Sequence, residues 1–152
     1  MPDGGPRPGI NYVGISTSFY CHDGKGHFLL ALRGKNCRDE QGTWDPGGGQ
    51  LEFGMAVDEN VLTEIREEYG CEGTIQEVLP AYSVFRDLDG VRTHWLAIPH
   101  FVLIERGTER NNEPHKFDDL GWFPCGEWPQ PLHQGFAQAY ERYRDRFEKY
   151  RR

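Results

Sequence analysis

The chain has 152 residues, with 17 Lys and Arg against 24 Asp and Glu, so its formal net charge is −7 at neutral pH. This length suits one domain. The apolar fraction is 37% without glycine and about 45% when the 19 Gly replace the 7 Tyr in the count, which is ordinary for a globular chain and excludes disordered, collagen-like and coiled-coil classes. The acidic surplus argues against a nucleic-acid polymer as partner, because backbone phosphates are bound by Lys and Arg.

The amino-terminal residues are rich in Pro and Gly. We expect a flexible segment over residues 1–9 and a single domain over residues 10–152. The start has no apolar signal-peptide core, and no apolar run approaches the roughly 18 residues of a membrane span, so we expect a cytoplasmic protein that does not enter a membrane. The four cysteines lie far apart in the chain, which favours free and mostly buried thiols.

The first part of the domain is predicted to be strand-rich. Residues 10–20 and 28–32 combine β-branched and aromatic side chains on either side of a glycine-containing turn, which predicts two strands. Residues 35–43 are polar and aperiodic, as in a surface loop. A glycine-rich turn over residues 44–49 then leads into residues 50–53.

A helix is predicted next, because the apolar residues from Val57 to Tyr69 recur at helical spacing. Gly70 follows at the position where glycine commonly ends a helix.

Two long strands are predicted over residues 73–86 and 91–105, joined by a turn. Pro80 and Pro99 lie within them and imply sheet edges or bulges at those points. A short strand near residues 120–123 and an amphipathic helix over residues 136–150 complete the domain. The order of elements predicts a mixed sheet covered by helices.

The negative charge is concentrated in one stretch of the chain. Residues 45–70 contain seven acidic residues and one basic residue, a net charge of −6. Glu64, Glu67 and Glu68 stand at i, i+3 and i+4 of the predicted helix, on the face that we expect to lie opposite Val61 and Ile65. Two interpretations are open: a solvated acidic face, or a site for a hard cation such as Mg²⁺, which prefers carboxylate oxygens.

The glycine turn and the acidic helix together resemble the Nudix box, G-x5-E-x7-R-E-U-x-E-E-x-G-U, where U is aliphatic. The match runs from Gly49 to Cys71 and keeps the three glutamates and Gly70 in register. Met55 and Thr63 stand where the motif has a Glu and an Arg. The resemblance implies the Nudix fold, an α/β/α sandwich around a mixed sheet.

The same resemblance implies a catalytic metal site. Glu64, Glu67 and Glu68 are the implied ligands of Mg²⁺ or Mn²⁺ and the implied catalytic residues, and the Gly49 carbonyl is a further candidate ligand. Glu113 lies in the loop where family members often supply another carboxylate for metal or base work. An exposed loop glutamate is the equal alternative for that residue.

Phosphate-binding candidates are less distinctive in the sequence. Arg33, Lys35 and Lys116 are candidates for substrate contact, although most surface Lys and Arg are simply solvated. Glu52, between the glycine turn and the helix, is a candidate supporting residue beside the substrate.

The implied function is metal-dependent hydrolysis of a phosphoanhydride bond, with water attacking phosphorus, in a small-molecule nucleotide. The substrate is a nucleoside triphosphate or a nucleoside diphosphate linked to another group. Two alternatives stay open: a nucleoside-diphosphate-sugar pyrophosphatase, and a catalytically weakened nucleotide-binding module, to which Met55 and Thr63 point. The oligomeric state is also open, and a homodimer is one option.

Overall fold

Eight strands and three helices make up residues 5–151, the part of the chain that the computed structural model describes. The strands are β1 (Gly14–His22), β2 (His27–Arg33), β3 (Trp44–Asp45), β4 (Gly48–Gln50), β5 (Gly73–Val78), β6 (Tyr82–Leu88), β7 (Val91–Ile104) and β8 (Phe117–Pro124). The helices are α1 (Val57–Tyr69), α2 (Gln134–Arg142) and α3 (Arg144–Glu148).

All eight strands belong to one mixed sheet with β1 and β7 at its centre. These two strands are parallel, whereas every other pairing is antiparallel: β1 with β2 and β4, β7 with β5 and β6, and β2 with β3 and β8. The predicted mixed sheet is therefore confirmed.

Helices cover both faces of this sheet because its central strands are apolar on both sides. On one face Phe19 packs with Ile65 of α1 in a buried cluster. On the other face Tyr20, the next residue along β1, packs with Phe136 of α2 and Phe147 of α3. Burial of each such large side chain contributes about 1.5–3 kcal/mol. The two helical layers confirm the predicted α/β/α sandwich.

Helix α1 spans the predicted residues and ends as its sequence indicates. Gly70 adopts the left-handed conformation with φ of 61°, and its N–H donates to the Arg66 carbonyl. At the other end the Glu59 carboxylate accepts a hydrogen bond from the Ala56 N–H. Both ends of the helix are thus capped by groups next to it in sequence.

The strand predicted over residues 73–86 is divided into β5 and β6 at Pro80. Both pieces pair with β7, a single strand of 14 residues. Pro99 lies inside β7 and not at a sheet edge, which corrects the expectation from sequence. The Pro99 carbonyl accepts a hydrogen bond from the Leu79 N–H, in the gap between β5 and β6. The nitrogen of a strand residue points to the same side as its carbonyl, so the missing N–H of Pro99 also faces this gap and costs no ladder hydrogen bond.

The C-terminal helix predicted over residues 136–150 is also divided. It breaks at Tyr143, the residue between α2 and α3, but its aromatic stripe still faces the sheet. The Tyr143 hydroxyl donates to the Pro80 carbonyl, which ties the break to the gap between β5 and β6. The strand predicted near residues 120–123 extends further, as β8.

The flexible segment expected over residues 1–9 lies partly outside the described residues, which begin at residue 5. Near its end, the Gly9 carbonyl accepts from His94 and the Gly9 N–H donates to Tyr12. The domain boundary at residue 10 stays a prediction. All four cysteines are buried and free. Within residues 5–151, no helix is both long and apolar enough to cross a membrane.

Candidate active site

The glycine-rich turn lies directly against helix α1. Strand β4 pairs with β1, and its backbone faces the acidic side chains of the helix. A Cβ atom added to Gly49 would lie 2.3 Å from Cδ of Glu64, and one added to Gly47 would lie 2.9 Å from Oε1 of Glu68. The absence of side chains at these two positions is what lets both carboxylates reach the strand.

Hydrogen bonds with the side chains of Tyr69, Asp45 and Thr17 hold the turn in this position. The Tyr69 hydroxyl, at the end of α1, donates to the Pro46 carbonyl. The Asp45 carboxylate accepts from the Gly47 N–H at 3.3 Å. Thr17 Oγ1 donates to the Gly49 carbonyl at 3.3 Å, and Thr17 and Gly49 also pair across β1 and β4.

Asn60 is a residue of the site that the sequence analysis missed. It is 1% exposed, and its Nδ2 donates to Thr17 Oγ1 at 2.8 Å and to the Gln50 carbonyl at 3.1 Å. Its Oδ1 accepts from the Glu52 N–H at 3.1 Å. In the sequence, the sign of this role is a polar amide next to Val61, at the edge of the apolar stripe of the helix. Asn60 thus joins α1 to β1 and to the beginning of the loop that precedes the helix.

The three glutamates differ in their surroundings. Glu68 is 1% exposed, Glu64 is half-buried and Glu67 is exposed. The expectation that all three lie opposite Val61 and Ile65 is therefore wrong for Glu68. Position 68 follows position 65 by three residues, so it continues the buried stripe of the helix, and Gly47 leaves space for its carboxylate.

Burial perturbs the two inner carboxylates. Desolvation, followed by the negative charge of Glu67, raises the pKa of Glu64 to about 7. Desolvation also raises the pKa of Glu68 well above its usual value, and the charges of neighbouring carboxylates add to this. Within the described part of the chain, Oε1 of Glu68 has no hydrogen-bond partner. These carboxylates therefore favour either a proton or a cation.

The loop between β7 and β8 brings two more charged groups to the site. Lys116 Nζ lies 3.8 Å from Oε1 of Glu113, a buried oxygen without a hydrogen-bond partner among residues 5–151. Burial has the largest effect on the pKa of Glu64 and of Glu68. The positive charge of Lys116 lowers both pKa values, and the negative charge of Glu113 raises both. The loop that the sequence analysis singled out thus lies within electrostatic range of the helix.

Whether these residues fit a metal ion follows from their donor atoms. No group of three His, Cys, Asp or Glu side chains in residues 5–151 converges into a metal site. Glu68 and Glu113 nevertheless present buried carboxylate oxygens without partners. Mg²⁺ is usually bound by one or two carboxylates and completes its shell with water and substrate phosphates. The donor set fits such an ion.

A cleft of about 590 Å³ opens beside the glycine turn. Gly48, Gly49 and Lys116 line it, and Trp95 lines it as well. Its volume lies in the range of small-molecule sites, roughly 300–1,000 Å³. A ligand in the cleft would therefore contact the backbone of Gly49, against which the Glu64 carboxylate packs.

The structure places the remaining candidates differently. Arg33 lines the cleft, but its guanidinium donates to Asp45 at 2.9 Å and to the side chain and carbonyl of Asp39 at 2.9 and 3.1 Å. Lys35 and Glu52 are exposed and lie outside the cleft lining. Lys116 lines the cleft and lies beside Glu113.

An α/β/α sandwich in which a glycine turn packs against a helix of glutamates is the arrangement of the Nudix class of proteins. The family model for the NUDIX domain matches residues 14–144. The chain belongs to the Nudix family.

Solved structures agree with this assignment. The MutT NUDIX hydrolase from Burkholderia pseudomallei is 27% identical, with a TM-score of 0.70 over 84% of this chain and 95% of that one. The MutT protein from Methanosarcina mazei Go1 is 22% identical, with a TM-score of 0.72 over 88% and 94% of the two chains. A UDP-X diphosphatase is 16% identical, with a TM-score of 0.65 over 96% of this chain and 68% of its own. A comparison with curated proteins finds no match.

Proposed function

We propose that this chain is a divalent-cation-dependent pyrophosphohydrolase that cleaves a phosphoanhydride bond by attack of water on phosphorus. Its substrate is a nucleoside triphosphate or a nucleoside diphosphate linked to another group. The observation that carries the proposal is the Glu68 carboxylate, which is buried beside Gly47 with one oxygen unpartnered. An ionised carboxylate in such a place needs a cation to offset its desolvation.

The proposed roles follow from the position of each residue. Glu64 and Glu68 bind the ion from the buried side and Glu67 from the exposed side, and the Gly49 carbonyl is a further candidate ligand. Mg²⁺ is the proposed ion, with Mn²⁺ as the alternative. When bound, the ion neutralises phosphate oxygens and lowers the pKa of a water molecule.

Glu113 is the proposed general base or additional ligand, because its buried Oε1 has no hydrogen-bond partner among the described residues. Lys116 is the proposed phosphate contact, since it lines the cleft and stands next to Glu113. Arg33 contributes by holding Asp45, whose carboxylate in turn accepts from the Gly47 N–H. Roles for Lys35 and Glu52 at the substrate stay predictions from sequence.

The similarity to known hydrolases supports the proposal. The Burkholderia protein carries the name of a hydrolase, and the names of two more distant neighbours refer to a UDP-X diphosphatase and an ADP-ribose pyrophosphatase. The rival function is a nucleotide-binding module without turnover. Met55 and Thr63 favour the rival, because a guanidinium beside Glu64 would support that ligand.

The test is a screen of nucleoside triphosphates and nucleoside-diphosphate sugars with Mg²⁺ or Mn²⁺, with release of phosphate and pyrophosphate as the readout. Glu68→Gln and Glu67→Gln should each lower kcat/KM by about a hundredfold or more. Glu72→Gln is the matched control, because that residue is exposed and pairs with Arg66. Tight nucleotide binding without any product would favour the binding module and reject the enzyme.

A further inference from the structure

A second cavity, of about 540 Å³, adjoins the cleft. We call it the distal pocket. It shares five lining residues with the cleft: Arg38, Gln50, Leu88, Thr93 and Trp95. Its outer wall is formed by Arg7, Pro8 and Ile10, which precede residue 14, where the match to the family begins. These three residues therefore lie outside the matched part of the chain.

The backbone of this amino-terminal segment is packed closely on Trp95. Gly9 has a φ of +83°, and a Cβ atom added there would lie 2.2 Å from Nε1 of Trp95. A Cβ atom added to Gly14 would lie 2.6 Å from the same ring. The Gly9 carbonyl also accepts from the His94 N–H at 2.8 Å. Because backbone contacts dock the segment, its side chains are left to line the pocket.

The four arginines that line the two cavities differ in their ion pairing. In the cleft, Arg33 and Arg86 are both ion-paired with carboxylates, including that of Asp39. Arg7 and Arg38 have no carboxylate within 4.0 Å among residues 5–151. Two arginines are thus available to bind an anion.

The remaining lining of the distal pocket is mostly apolar. Pro8, Ile10, Leu88 and Val91 line it together with the indole of Trp95, and Asp89 is the one acidic residue in its lining. Apolar walls with a few convergent polar groups are typical of small-molecule sites. The pocket therefore suits a group that has an apolar or planar face and also an anionic substituent.

We propose that the distal pocket binds the group attached to the far side of the scissile diphosphate, and that Arg7 recognises a phosphate or carboxylate on that group. The proposal rests on the proposed function for the position of the diphosphate at the glycine turn. Arg38 lines both cavities and so lies between the two parts of the substrate. Guanidinium groups suit either anion because they bind both in a two-pronged geometry.

The experiment compares four compounds as substrates in the presence of Mg²⁺. Two lack a distal anion: a nucleoside triphosphate and a nucleoside diphosphate joined to a neutral hexose. Two carry one: a nucleoside diphosphate joined to a uronic acid, and a nucleoside diphosphate joined to a phosphorylated nucleoside. The last two distinguish a carboxylate from a phosphate as the preferred anion. The wild-type protein should have a lower KM for at least one anionic compound than for the neutral hexose compound.

Two variants test the wall of the pocket in different ways. Arg7→Ala removes the charge and should raise the KM for the preferred anionic compound by about tenfold, with kcat and the KM for the hexose compound unchanged. Gly9→Ala keeps every charge but displaces the segment from Trp95, and it should produce the same loss. The control for charge is Arg144→Ala, at the start of α3. The control for backbone strain is Gly107→Ala, with φ of +105° and open space around it.

Each outcome decides the proposal. It is overturned if Arg7→Ala leaves every KM unchanged, or if the controls lose as much as the two test variants. If no compound is hydrolysed, the proposed function fails by itself. In that case, calorimetry of the same compounds with the metal-free protein tests whether the distal pocket binds the anionic group. Tenfold weaker binding of the anionic compound by Arg7→Ala supports it, and equal binding rejects it.

Discussion

Replacing Gly49 with alanine tests whether the backbone of β4 positions the Glu64 carboxylate. The new Cβ would lie 2.3 Å from Cδ of Glu64 and 2.5 and 2.7 Å from its two oxygens. Ordinary contact begins at 3.4 Å, so the carboxylate must move by about 1.1 Å. The backbone at Gly49 does not lie in the left-handed region, and alanine adds no conformational strain of its own there.

The expected effect on activity is larger than the effect on stability. A displacement of about 1 Å in a catalytic group costs on the order of a hundredfold in rate, so kcat/KM should fall by about that factor. Overpacking of this size costs about 1–3 kcal/mol of unfolding free energy, which a domain of this length survives. The half-buried position of Glu64 leaves it a way to move towards solvent, so the lower end of that range is expected.

Gly73→Ala is the matched steric control. A Cβ atom at Gly73 would lie 2.6 Å from Val102 Cγ1, in the cluster under α1 and away from the carboxylates. Both variants should unfold at similarly lowered temperatures, but only Gly49→Ala should lose activity across a Mg²⁺ titration. Equal activity of Gly49→Ala and wild type, or an equal loss in Gly73→Ala, would refute the reasoning.

Three further outcomes are expected. Met55→Glu combined with Thr63→Arg should raise kcat by more than the two single changes together, since either alone adds an unpaired charge; strict additivity in a double-mutant cycle would reject this coupling. Because the folded-state pKa of Glu64 is raised to about 7 from 4.5, the stability that its protonation contributes is complete below pH 4.5 and is lost as the pH rises through 7. The metal-free protein should therefore melt at a lower temperature at pH 8 than at pH 6, and millimolar Mg²⁺ should narrow that difference. A melting temperature that changes with neither pH nor Mg²⁺ would contradict a cation site at Glu64. Burial opposes ionisation of Glu77, but hydrogen bonds from Tyr150 and its basic neighbours lower the pKa of that carboxyl, so Glu77→Gln should cost about 1 kcal/mol in urea unfolding at pH 7. That contribution is present above the unfolded pKa and disappears in acid, so an equal cost at pH 3 would argue against it.

The sequence predicted the elements whose signals are local. Helix α1 was predicted correctly because its apolar spacing and Gly70 both depend on the helix alone. The break at Tyr143 was not predicted, because the aromatic spacing continues through it on the same face. The Tyr143 hydroxyl donates to the carbonyl of Pro80, which is distant in sequence. Pro99 was misplaced for the same reason, since its surroundings depend on a gap in the neighbouring strands.

The candidate site shows a similar division. The spacing of the Nudix box identified the three glutamates. Because glutamate is charged, Glu68 was expected on an exposed face of the helix, whereas its side chain is buried in the structure. Only the approach of Gly47 in space explains how that carboxylate is accommodated. Asn60 and Asp45 act by hydrogen bonds to backbone groups up to ten residues away, and no sequence pattern specifies such partners. The engagement of Arg33 by Asp39 is likewise a property of the folded loop.

The division of one predicted strand at Pro80 has a mechanical consequence. Strand β5 pairs with the end of β7 that lies in the core, whereas β6 pairs with the end that carries the wall of the cleft. Because β5 and β6 form two separate ladders with β7, the β6 ladder can open locally without opening of the β5 ladder. The wall of the cleft can thus loosen while the packing under α1 stays intact. Amide hydrogens of β6 should accordingly exchange faster than those of β5.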